Sequence, residues 1–141
     1  MITVADYLMG RDALYPLAMT PALRANAVRT VELVNKLLVL ANVAGVPMPV
    51  NPATGTVVAS GWRPPAVNAA TAGASKTSMH MTCEACDLYD PAGRIDAWLM
   101  TADGQRVLTD LGLWLEHPDA TPKWSHVQVR PPRSGNRVFR P

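Results

Sequence analysis

Three histidines, His80, His117 and His126, are the only imidazoles among 141 residues. Asp87 follows His80 by seven positions, across a segment that turns into a short apolar run, and His126 lies in a later run beside Trp124. Two imidazoles and one carboxylate form the ligand set of a catalytic zinc site, with a fourth position left for water. Spacing alone is weaker evidence: a His near an Asp also makes a hydrogen-bonded surface pair, and a strand His beside Trp also makes a packed one. His117 reads as a surface turn histidine, with oxyanion stabilisation as the alternative. Cys83 and Cys86 form a C-x-x-C. A zinc site of cysteines needs a second pair, and a redox motif needs a strand followed by a helix N-terminus, so the two are read as small, partly buried thiols.

These residues need elements to position them. Residues 2–9 have the composition of a short helix. Thr20-Pro21 supplies an N-cap followed by Pro at the first helical position. Leu23, Ala27, Val31, Val34, Leu38 and Ala41 then recur at helical spacing, predicting one long packing helix that stops near Gly45, with Pro47 beyond. VPMPVNPATG (46–55) reads as a Pro-rich loop, TVVAS (56–60) as a strand, and 64–72 as a short helix ended by Gly73. EACDLY (84–89), LGLWLEH (111–117) and WSHVQVR (124–130) read as strands, with two helical pieces between the first and second around a turn at Gly104. In the last strand, alternation puts Ser125, Val127 and Val129 on one face and Trp124, His126, Gln128 and Arg130 on the other. The order lacks βαβ regularity, which predicts an α+β fold with an antiparallel sheet packed by helices.

Bulk properties narrow the function classes. The length suits a single domain, 1–141, with a core over about 20–130 and a Pro/Arg tail at 131–141. Nearly half the residues are apolar and the net charge is +2, a globular composition with too little basic excess to predict nucleic-acid binding. That excess, at Lys123, Arg130, Arg133, Arg137 and Arg140, is expected to be solvated surface. No stretch has the length and apolarity of a membrane span. MITVADYLMGRD has no basic segment followed by an apolar run, so synthesis in a cytoplasm without a signal peptide is expected.

The order of the motifs adds to the ligand set. S-G-W-R at Ser60–Arg63, S-x-H-x-x-x-x-A-x-D at Ser78–Asp87 and W-x-H at Trp124–His126 resemble the zinc D-alanyl-D-alanine carboxypeptidases. They are similar in the same way to phage endolysins that cut the L-alanyl-D-glutamate bond, and to the Hedgehog/DD-peptidase fold those enzymes share. The resemblance covers roughly residues 55–130, and the ending PPRSGNRVFRP is similar to small phage and prophage members. It implies one Zn2+ per chain on His80, Asp87 and His126. It also implies that Arg63 holds substrate and polarises its carbonyl, with Ser78 contacting substrate or supporting the turn. A planar, permanently charged guanidinium suits a carboxylate or carbonyl oxygen.

Two positions depart from the family pattern. Cys83 stands where Gly often follows the first His, close enough to be watched as a fourth ligand. Lys123 stands where many members carry an acid three residues before the second His. A lysine does not accept a proton from water at neutral pH unless its pKa falls greatly. The base is then expected from Glu116, at the end of a strand that could pair beside the His126 strand, or from Asp119 in the connecting loop, with Glu116 preferred.

The resemblance implies a zinc metallopeptidase that cleaves cell-wall peptides next to a D-amino acid, acting after release or carried in a phage virion. The alternative is a virion structural or assembly protein that keeps the fold without turnover, with other virion proteins as partners. Complete ligands favour the first; Lys123, the Pro/Arg tail and the lack of a separate wall-binding module favour the second.

Overall fold

The structure is a computed structural model describing residues 1–141. The chain opens with α1 (Val4–Leu8), capped by Thr3, whose hydroxyl accepts from Asp6 N while the Asp6 carboxylate accepts from Thr3 N. After α2 (Arg11–Leu14) comes α3 (Pro21–Val43), 23 residues long, started by Thr20 accepting from Leu23 N. The helical stripe in the sequence is the face it buries: Ala27, Val31, Val34, Leu38 and Ala41 are all in the core, joined by Thr30 and Leu37. Leu23 packs against that core while remaining partly exposed.

The remaining elements are β1 (Val58–Ser60), α4 (Pro65–Ala70), β2 (Ala85–Tyr89), α5 (Arg94–Leu99), α6 (Ala102–Leu111), β3 (Trp114–Glu116), β4 (Trp124–Gln128) and β5 (Val138–Phe139). They form an α+β fold with one five-stranded sheet in the order β1-β2-β4-β3-β5. The first three pairings are antiparallel, and β5 adds a parallel edge. The sheet is therefore antiparallel except at that edge.

Two expectations about elements are corrected. The break between α5 and α6 falls at Met100–Thr101, not at Gly104. Thr101 caps α6 by accepting from Gly104 N, and Gly104 is a buried helical residue. A Cβ there would lie 2.2 Å from Trp98 O and 2.5 Å from Leu99 Cα, so this glycine permits close packing of the two helices rather than a turn. Segment 131–141 is not a free tail. It returns to the sheet, with Leu115 N donating to Arg137 O at 2.9 Å and His117 N to Phe139 O at 2.7 Å. Arg137 stacks 4.4 Å over the Trp114 ring and donates to Leu113 O, so part of the expected solvated charge has partners within the fold.

The core lies between one face of the sheet and α3, α5 and α6. Val58, Cys86, Leu88, Leu115 and Val127 share that core with Val34, Leu37, Ile95, Leu99 and Leu108, and Tyr7 and Trp62 are fully buried in it. No helix is long and apolar enough to cross a membrane.

Candidate metal centre

Asp87 and His126 are cross-strand partners in the β2–β4 ladder. Residues directly opposite on an antiparallel pair project to the same face with Cβ atoms about 5 Å apart, so register alone brings these side chains together. Their neighbours Cys86 and Val127 point the other way, into the core. His80 arrives from the turn that precedes β2. That turn is held by α3, whose Asn26 donates to Thr82 O at 3.0 Å and whose Thr30 donates to Cys83 O at 2.7 Å. Cys83 adopts φ 59°, in the left-handed region that glycine favours, which accounts for the small residue needed there.

Three atoms converge. His80 Nε2 lies 3.2 Å from Asp87 Oδ1 and 3.3 Å from His126 Nδ1, and His126 Nδ1 lies 2.7 Å from Asp87 Oδ1. A tetrahedral zinc with bonds of about 2.0–2.1 Å has donor–donor edges of about 3.3 Å. Two separations match, and the third is shorter. The outer nitrogens support the same reading. His80 Nδ1 is 2.7 Å from Gly61 O, a carbonyl that can only accept, so the proton sits on Nδ1 and Nε2 presents its lone pair. His126 Nε2 faces Gln128 Oε1 at 3.4 Å, while Gln128 Nε2 donates to Arg130 O. That leaves Nδ1 as the inward acceptor. Two imidazole lone pairs and a carboxylate aimed at one point repel one another unless a cation joins them, so the donor set fits a metal.

The electrostatics differ between the two imidazoles. Burial pushes the His80 pKa down, against the attraction of Asp87, which keeps the ring neutral as a ligand must be. Burial alone would raise the Asp87 pKa, but the charges and hydrogen bonds of both imidazoles hold it well below the ordinary carboxylate value. Burial opposes charging of His126 too, and there the hydrogen bond and charge of Asp87 prevail and raise its pKa.

Glu116 ends β3, beside β4, and its Oε2 is 3.9 Å from His126 Nδ1. Burial raises its pKa, offset in part by His126. Asp119 is elsewhere: it is 68 % exposed on its side chain and pairs with Arg140 at 3.0 Å and His117 at 3.4 Å. Those partners lower its pKa, and nothing directs it at the three donors. His117 caps the following turn by accepting from Asp119 N, the structural role of a turn histidine. Arg63 is half-buried. Its Nη2 donates to Ser78 Oγ at 3.2 Å and its Nε is buried without a partner. Burial lowers its pKa, while the charges of Asp87 and Glu116 oppose that shift, which places the guanidinium within the field of the site. Ser78 Oγ also accepts from His80 N at 3.3 Å, so this hydroxyl supports the ligand's turn as well as the arginine.

Lys123 is exposed at φ 79° in the turn before β4. It lines a cleft of about 420 Å³ with Asp96, His117 and Thr121, which none of the three donors enters. This cleft lies away from the donor atoms, and the chemistry of the donors rather than the cleft locates the site. Neither cysteine belongs to it. Cys83 and Cys86 are free and packed in the apolar core, and burial raises the Cys83 thiol to about 12. The fourth-ligand expectation for Cys83 therefore fails, because its side chain turns away from the donors.

Residues 53–113 match the family model of Peptidase M15. The matched segment holds Arg63, Ser78, His80 and Asp87 and stops before Glu116 and His126, which the sheet brings to it. The match supports the zinc carboxypeptidase family that the ordered motifs resemble, and M15 peptidases are zinc-dependent. No curated relative and no solved structure matches the chain.

Several residues that surround the three donors have no separate signal in the sequence. Gly61 matters through its carbonyl, and a Cβ on it would sit 1.8 Å from Tyr7 O. Gln128 shares a face with His126 by alternation, which was legible, but its contact with the ring was not. Phe139 lies in the segment read as a tail, with its ring centroid 6.4 Å from that of His126.

Proposed function

We propose that this protein is a zinc metallopeptidase that cleaves bacterial cell-wall peptides next to a D-amino acid, associated with a phage or prophage. The observation that carries the reading is the convergence of His80 Nε2, Asp87 Oδ1 and His126 Nδ1, with Glu116 beside them. His80, Asp87 and His126 would hold a zinc ion, which when bound would supply a Lewis acid able to polarise a scissile carbonyl and acidify water.

The chain's own groups do the rest. Glu116 accepts the proton of the attacking water at its carboxylate and returns it to the departing amine, a role suited to a carboxylate whose pKa burial has raised. Arg63 directs its charge, and an Nε–H without a protein partner, at the substrate carbonyl or carboxylate. Ser78 holds that guanidinium in place and fixes the turn that carries His80. Asp87 stays ionised and balances the cation. Lys123 takes no part, and Glu116 fills from β3 the role that the position of Lys123 leaves open. The cell-wall substrate and the phage setting rest on the motif resemblance.

The test is incubation of the zinc-loaded protein with purified sacculi, followed by quantitation of new amino termini. New termini, absent when chelator is present, are expected. Zinc uptake with no cleavage at any pH would leave the non-catalytic virion protein as the surviving account.

A further inference from the structure

The two histidine ligands are held unequally. The outer nitrogen of His80 has a short hydrogen bond to a backbone carbonyl, 2.7 Å to Gly61 O. That of His126 has only a long contact, 3.4 Å to a side-chain amide, where such bonds weaken. An imidazole so loosely tethered needs another restraint to hold its lone pair on a metal. Phe139 provides one: its ring meets that of His126 edge-to-face, at 81° between planes.

The segment bearing Phe139 is tied down at several points. Glu116 and Phe139 are register partners in the β3–β5 pairing, so the strand that supplies the candidate base also seats the phenyl ring. On either side, Arg137 lies over Trp114, and Arg140 bonds Asp119 at 3.0 Å. We propose that Phe139 is a positioning residue for His126, and that β5 is a working wall of the metal site rather than an assembly arm. The inference rests on reading His126 as a metal ligand, and it adds a requirement for the last residues of the chain.

Phe139 is the only phenylalanine, so incorporating 4-fluorophenylalanine gives a single 19F resonance. Adding zinc should move that resonance in the otherwise unaltered protein and leave it in place in Asp87→Ala. Zinc dissociation constants, measured by competition with a chelating dye, should weaken about 10-fold or more in Phe139→Ala. Phe139→Leu, which keeps an apolar side chain there, should recover most of the loss, and thermal midpoints read alongside separate this from unfolding. Zinc binding by folded Phe139→Ala as tight as by the parent would overturn the proposal. Absence of zinc binding in the parent would instead contradict the metal reading. The ring-proton resonances of His126 would then decide the contact: movement in Phe139→Ala supports it, and unchanged positions overturn it.

Discussion

Glu116 and Lys123 make opposing predictions at the scale of single residues. Replacing Glu116 by Gln keeps size and hydrogen bonding but removes the proton acceptor. Peptide cleavage should fall by about 10²–10⁴-fold with zinc content unchanged, measured by turnover and metal analysis on the same sample. Lys123→Ala should stay within a few-fold of the parent, because its side chain faces the separate cleft. Full activity in Glu116→Gln would remove it as the base. The convergence of His80, Asp87 and His126 was legible in the sequence because their motifs are local and ordered. The choice between Glu116 and Asp119 was not, because it depends on which strand lies beside β4. Only the pairing of Trp114 with Gln128 and Leu115 with Val127 brings Glu116 in and leaves Asp119 on the surface with Arg140.

At the scale of elements, α5 carries a buried acid that makes stability depend on pH. Burial raises the Asp96 pKa from 3.8 to about 6, and its Oδ1 has no partner. The folded state thus holds a proton that the unfolded chain releases between those values. Stability from this group is full below about pH 4 and is lost as pH rises to about 6. Asp96→Asn should therefore be stabilising relative to the parent by about 1–3 kcal/mol at pH 8, and by less at pH 4, in denaturant titrations. An advantage that does not grow with pH would contradict the assignment. A second element-scale test concerns Gly61, whose missing Cβ lets β1 approach α1 and whose carbonyl orients His80. Gly61→Ala should lower the thermal midpoint by the equivalent of at least about 1–3 kcal/mol and weaken zinc binding as well. The long helix was legible because about five turns of apolar spacing and a Thr-Pro start agree. The α5–α6 break was misplaced because Gly104 signals a turn in isolation, whereas here it makes room for Trp98 and Leu99. β5 is two residues long, too short for any alternation to register, and exists through pairing with a strand more than 20 positions earlier.

For the whole molecule, the site joins parts that are far apart in sequence. His80 is braced from α3, its outer nitrogen from Gly61 just after β1, and Asp87 and His126 face each other across the central strands. A cation bound there ties these parts together and stabilises only the folded state. At a zinc concentration about 1,000 times the dissociation constant, stabilisation is about 4 kcal/mol, which corresponds to a rise in the thermal midpoint of roughly 10 °C. A chelator should reverse that rise in the parent and have no effect on Asp87→Ala. The α+β class was legible from the order of helical and alternating segments, and the M15 match over 53–113 agrees with the motif order. The closing of the sheet by the C-terminal strand was not, since a Pro- and Arg-rich ending reads as solvated chain until its partners are seen.

The most direct measurement is the zinc content of the purified protein after equilibration with zinc and removal of excess, by elemental analysis. The structure predicts one zinc per chain in the parent and none above background in Asp87→Ala, with both proteins folded by circular dichroism. A folded parent that retains no zinc, or an Asp87→Ala variant that retains a full equivalent, would contradict the metal centre built on His80, Asp87 and His126.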